Sequence, residues 1–181
     1  MLIFTFLASL DNEILDSLSK ISKILLWIKE GKDIALVTDA GTPAISDPGA
    51  KLVSAIYDEF GDGNIVPIPG PSAVSLALSA SGFSANKYLF LGYPPKKKRR
   101  KLFFNEIAES KWTCVFFSTP HRILKDLAAL KDAGTEKCIF VAREMTKQFE
   151  TLYRGGIDKV QEKIQSDPQK GEYTVVVNKL F

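Results

Sequence analysis

The apolar run Ile34-Ala35-Leu36-Val37 enters Asp39-Ala40-Gly41-Thr42-Pro43-Ala44-Ile45-Ser46-Asp47-Pro48-Gly49, and the helical pattern Leu52, Val53, Ile56, Tyr57, Phe60 follows. A buried strand thus feeds a helix through one loop, and this unit recurs along the chain. Ile65 to Ile68 runs through Pro69-Gly70-Pro71-Ser72 into a helix from Ala73 to Ser81. Tyr88 to Leu91 runs through Gly92-Tyr93-Pro94-Pro95 into a helix ending near Glu109. Thr113 to Phe117 runs through Thr119-Pro120 into a helix carrying Ile123, Leu124, Leu127 and Leu130. Such alternation implies an α/β fold, with largely parallel sheets covered by helices.

The ends of the chain fit the same scheme. Leu2 to Leu7 reads as a strand, Asp11 as an N-cap with Glu13 in the first turn, and Ile14 to Ile28 as a helix closed by Gly31. Cys138 to Ala142 and Tyr173 to Val177 read as strands. A short strand near Glu150 to Tyr153 precedes a last helix around Ile157, Val160 and Ile164. The strands near Glu150 and Tyr173 could pair antiparallel. The loop from Gly82 to Lys87 is the expected domain boundary, giving units 1–84 and 85–181.

In open α/β sheets, ligands bind outside the carboxyl ends of the strands, where these loops lie. Asp39 to Gly49 is long for such a connection. Its glycines permit close backbone approach, its prolines stiffen it, and its carboxylates and hydroxyls can bond a polar ligand. Ordinary turn chemistry is the alternative for each loop. The start of the helix after Ser72 offers backbone N–H donors to a ligand oxygen.

Charge is distributed unevenly. The net charge is +3 and Lys96-Lys97-Lys98-Arg99-Arg100-Lys101 supplies +6, so the rest of the chain carries −3. A concentrated basic run points to one anionic partner at one place, with a nucleic-acid backbone favoured over a merely solvated face. Arg122 is the further cation counted with it. His121 is the only histidine, which excludes a multi-histidine metal centre, and no metal is expected. Cys114 and Cys138 lie in apolar runs and read as buried, reduced thiols. No apolar stretch approaches the ~20 residues of a membrane span, and Leu2 to Leu7 lacks the basic start of a signal peptide. A cytoplasmic protein is expected.

Six segments, in order, resemble one family. They are Val37 to Gly49, Pro67 to Ala73, Phe90 to Pro95 with its basic run, Phe116 to Arg122, and Val141 to Lys147 followed by Gly171 to Val177. The pattern resembles that of the small-subunit ribosomal RNA cytidine 2′-O-methyltransferases, a tetrapyrrole-methylase-like (class III) group of S-adenosylmethionine-dependent enzymes. The resemblance implies two α/β/α domains, a cofactor cleft between them, and a homodimer. By matching position it places Asp39, Ala40, Gly41, Ser46, Asp47, Ser72, Ala73 and Ala142 at the cofactor. The family pattern starts with a glycine-containing strand-loop, a helix and a second strand ahead of where Met1 stands. The first domain is therefore expected to be N-terminally truncated and to lack a central strand.

The reaction so implied moves a methyl group from a sulfonium to a ribose 2′-oxygen, for which positioning and partial deprotonation of the hydroxyl suffice. Glu144 as base, Lys147 as orienting cation and His121 are the candidate catalytic groups. A tetrapyrrole methylase, a catalytically inactive RNA-binding fragment and a bare α/β core are the alternatives.

Overall fold

In the computed structural model, residues 2–3 and 18–178 are described. The chain divides into two compact units, Met1–Ser72 and Ala73–Phe181.

In the first unit, β1 (Leu2–Ile3) lies between β2 (Ile34–Ala35) and β3 (Ile65–Val66), parallel to both. The middle place, expected to fall to a strand ahead of Met1, is taken by Leu2–Ile3. Helices α1 (Leu18–Lys29) and α2 (Ala50–Phe60) supply the core. Ile21, Ile24 and Ile28 meet Leu52 and Ile56, with Ile34 and Ile65 packed against them. The spacing of these residues is that of one helical face. The Asp11 cap, Glu13 and the first turns of the expected helix lie outside the described residues.

The second unit orders its strands β4 (Tyr88–Phe90), β5 (Thr113–Ser118), β8 (Tyr173–Val177), β6 (Ile139–Arg143) and β7 (Thr151–Gly155). Only β4 and β5 run parallel; β5–β8, β8–β6 and β6–β7 are antiparallel. The expectation of largely parallel sheets therefore holds for the first unit and fails for the second. The short connection from β6 to β7 cannot cross over the sheet, so it closes a hairpin. The strand near Tyr173 pairs with β5 and β6, not with β7.

Alternation along these strands fills two layers. One face presents Cys114, Phe116, Ile139, Val141, Val175 and Val177 to α4 (Arg100–Glu109), α5 (Ile123–Asp132) and α6 (Ile157–Ser166). The other presents Val115, Phe140, Ala142 and Val176 to Val74, Ala77 and Leu78 of α3 (Ala73–Ser81). Helices on both faces explain why the central strands read as unbroken apolar runs. They also assign α3 to the second unit, whereas the boundary expected at 84–85 falls after that helix. Cys114 is buried, which raises its thiol pKa, and Cys138 is half-buried; both are free thiols. Among the described residues, no helix is long and apolar enough to cross a membrane.

Candidate functional site

The loop between β2 and α2 is tied to itself and to the loop after β3. The Thr38 hydroxyl donates to the Asp47 carboxylate across the base of the loop. The Thr42 hydroxyl donates to the Pro71 carbonyl at 3.1 Å, joining the two strand-end loops of the first unit. Gly49 closes the segment at φ 130°. A Cβ there would stand 2.8 Å from Leu36 Cδ2, so glycine lets α2 start directly against the buried residue that follows β2. Asp39, Ala40, Gly41 and Ser46 are exposed on the rim, and Asp47 is half-buried.

The second loaded loop joins β6 to β7. Glu144 Oε1 accepts from Lys147 Nζ at 3.1 Å and from the Glu172 backbone N–H at 2.8 Å. Lys147 also reaches Glu172 Oε2 at 2.9 Å. The Glu172 N–H, more than any other group, holds the Glu144 carboxyl below its ordinary range; partial burial opposes this, and Lys147 and Arg143 reinforce it. The Lys147 ammonium is pushed up by its bonds to Glu172 and Glu144. Below it, Arg143 donates to the Pro168 carbonyl at 2.9 Å. Tyr153 donates to Asp167 at 2.6 Å; burial first, and then Asp167, push its phenol pKa up to about 12.

Among the described residues, four non-glycine residues have positive φ: Ala44 at 66°, Ser46 at 58°, Glu144 at 48° and Thr146 at 65°. All four lie in these two loops. Such backbone costs of order 1 kcal/mol or more per residue and collects at ligand-binding and catalytic sites. The concentration of strain is therefore a functional pointer beyond turn composition.

Gly171 supports the second loop. Its φ is +86°, and a Cβ on it would overlap the Glu144 side chain. Gly171→Ala should cost about 2 kcal/mol and release the Glu144–Glu172 contact. Urea unfolding checks the first effect, and the chemical shift of the Glu172 amide checks the second.

The basic run proves to be two things. Lys96, Lys97, Lys98, Arg99 and Lys101 are exposed, on the turn before α4 and its first residues. Arg100 turns inward: Nη1 stands 2.6 Å from Asp126 Oδ1, and Nη2 donates to the Lys125 carbonyl at 2.9 Å. Arg122 also turns in, donating to the Pro94 and Pro95 carbonyls at 2.6 and 3.2 Å and standing 3.8 Å from Asp126. Both belong to the expected RNA-binding set, and the structure gives each of them structural partners. Asp126 is fully buried and also accepts from Ser118 at 2.6 Å. It escaped the sequence reading, although it lies three residues after Ile123 and four before Leu130, on the inward face of α5.

His121 is exposed on the turn before α5. Ser72 is half-buried just before α3, and Ala73 begins that helix. Ala142 is buried on β6 under α3.

Residues 20–161 match the family model described as Tetrapyrrole (Corrin/Porphyrin) Methylases. The chain belongs to the tetrapyrrole methylase family. Within the family it is similar to proteins named ribosomal RNA small subunit methyltransferase I. It is 37% identical to the Thermotoga maritima protein over 90% of this chain and 72% of that one. Against the Bacillus subtilis protein the identity is 39%, over 86% of this chain and 53% of the relative. Against the Vibrio cholerae protein it is 43%, over 82% and 52%. The chain thus spans about half the length of these last two relatives. The fold matches a crystal structure of the methyltransferase CobJ with a TM-score of 0.67 at 18% identity, covering 94% of this chain and 73% of that one. It also matches the cobalt precorrin-4 methyltransferase CbiF with a TM-score of 0.66 at 17% identity, covering 94% and 72%.

Proposed function

We propose that the protein methylates the ribose 2′-hydroxyl of a cytidine in small-subunit ribosomal RNA, using S-adenosylmethionine, as a cytoplasmic homodimer acting on the small ribosomal subunit. The observation that carries the RNA reading is the exposed cation run around the start of α4. A helix N-terminus carries partial positive charge, and each cation beside it costs about 0.3–1 kcal/mol. The first turn of α4 contains no acidic residue. An anion docked there relieves the repulsion, and a phosphodiester strand supplies several at regular spacing.

The chemistry of the first-unit loops suits the cofactor. Asp39 and Ser46 can bond ribose hydroxyls, while the exposed backbone at Ala40 and Gly41 can meet the amino-acid end. Asp47 holds the loop closed through Thr38. Ser72 joins this set, with Ala73 and Ala142 following from the family resemblance. Bound S-adenosylmethionine supplies an electrophilic methyl group on a sulfonium. The protein's part is then to hold the ribose hydroxyl in line and to take its proton. Glu144 and Lys147 already neutralise one another, which favours a positioning role at the β6–β7 hairpin. His121, exposed on the turn before α5, is the candidate proton acceptor.

Isothermal calorimetry with S-adenosylmethionine tests the cofactor half. Wild type should bind, and Asp39→Ala should weaken binding roughly tenfold, the worth of one good polar contact. At a ligand concentration of 100 Kd, stability should rise by about 2.7 kcal/mol. Incubation of the protein with labelled cofactor and either small ribosomal subunits or a porphyrin precursor tests the acceptor. Label in the RNA supports the proposal; label in the tetrapyrrole supports the competing methylase; RNA binding without calorimetric heat supports an inactive fragment.

A further inference from the structure

Tyr93 lies three residues before the cation run and is 48% exposed, yet its setting is rigid. The parallel ladder of β4 and β5 continues past the strand end, with Leu91 N–H donating to the Val115 carbonyl and Phe117 N–H to the Gly92 carbonyl, both at 2.9 Å. On the other side, Pro94 is buried and Arg122 grips the carbonyls of Pro94 and Pro95. The Tyr93 ring packs on Phe117 with centroids 5.4 Å apart, and Phe117 stands edge-on to Phe90 at 5.0 Å. An aromatic residue is thus held firmly while half of it faces solvent. Its Cα is at most ~11 Å from that of Lys96, so one short oligonucleotide can span both.

We infer that Tyr93 is a stacking platform for an unpaired base of the RNA strand whose phosphates the exposed cations Lys96, Lys97, Lys98, Arg99 and Lys101 hold. The inference rests on the RNA reading above and deepens it by naming the substrate class: a single-stranded or splayed segment, not a continuous duplex. Bases within a duplex are already stacked on one another, whereas unpaired bases stack on aromatic side chains. Cations alone would grip either form. An exposed, fixed tyrosine ring beside them adds a contact that only an unpaired base can make.

The test compares three short oligonucleotides of equal phosphate count by fluorescence anisotropy on the full chain: oligocytidylate, the same strand with abasic sites, and a duplex. Wild type should bind oligocytidylate roughly 5- to 150-fold more tightly than the abasic strand, the worth of stacking one base, and more tightly than the duplex. Tyr93→Leu should abolish the preference for bases while keeping abasic affinity, and Tyr93→Phe should retain it. Wild type lacking the preference, or Tyr93→Leu keeping it, would overturn the assignment. Because the wild-type comparison needs no substitution, a poorly folded variant leaves it decisive. If wild type binds none of the three above an equally charged sulfated polysaccharide, the RNA reading fails as well. If it binds all three alike, only the stacking role fails.

Discussion

Replacing Lys96, Lys97, Lys98, Arg99 and Lys101 together by glutamine should lower affinity for single-stranded RNA about three thousandfold at ~0.1 M salt. Each phosphate neutralised on a single strand contributes about 0.7 to the slope of log affinity against log salt. Five exposed cations therefore supply a slope of roughly −3.5, which corresponds to that loss when extrapolated from ~1 M salt, where the electrostatic term is small. Stability should hold or rise slightly, because cations are being removed from the positive end of α4. Arg100→Gln belongs to the other class. It should leave the salt slope nearly unchanged and lower stability, since its guanidinium is committed to Asp126 and the Lys125 carbonyl. Titrations of RNA binding at four or five salt concentrations, with a thermal melt of each variant, separate the two. A quintuple variant with an unaltered slope would remove the RNA role from this segment. An Arg100→Gln slope change as large as that of a neighbouring lysine would show that the inward pairing is not kept in solution.

Element order was legible because it rests on local signals: apolar period, punctuation by glycine and proline, and caps. The helix from Ala73 to Ser81 has the bounds its sequence predicts. What escaped was non-local. The insertion of β8 between β5 and β6 depends on pairing between segments far apart in the chain, and an apolar run such as Tyr173 to Val177 looks the same in either direction. Membership of α3 in the second unit follows from which sheet face Val74, Ala77 and Leu78 cover, not from the glycine that ends the helix. The loop from Asp39 to Gly49 was marked by composition, but its strain at Ala44 and Ser46 was invisible, because neither residue announces a positive φ. In the basic run, six adjacent cations look alike. Only the buried carboxylate twenty-six residues beyond Arg100 distinguishes that residue from its neighbours.

That carboxylate is the site of the second large effect. Asp126→Ala should destabilise the second unit by about 3 kcal/mol, lowering its melting temperature by roughly 10 °C. Asp126 is fully buried between Arg100, Arg122 and Ser118. Removing one member of such a group leaves uncompensated charge, which costs about 3–5 kcal/mol for wholly buried partners. Here the lower bound applies, since Arg100 and Arg122 are 23% and 22% exposed and can reach water. Asp126→Asn should cost less, because it keeps the shape and can still bond Ser118. Adding Arg100→Met to Asp126→Ala should recover part of the loss if uncompensated charge is its cause; if the double variant is no better than the single one, the cost lies in packing alone. Function should change as well as stability. With its carboxylate gone, Arg100 is free to turn outward into the cation run, and the salt slope for RNA in Asp126→Asn should steepen by about 0.7, one phosphate's worth. A purely structural aspartate would leave that slope where it was. A steeper slope would mean that Asp126 sets how many of the six cations face the RNA.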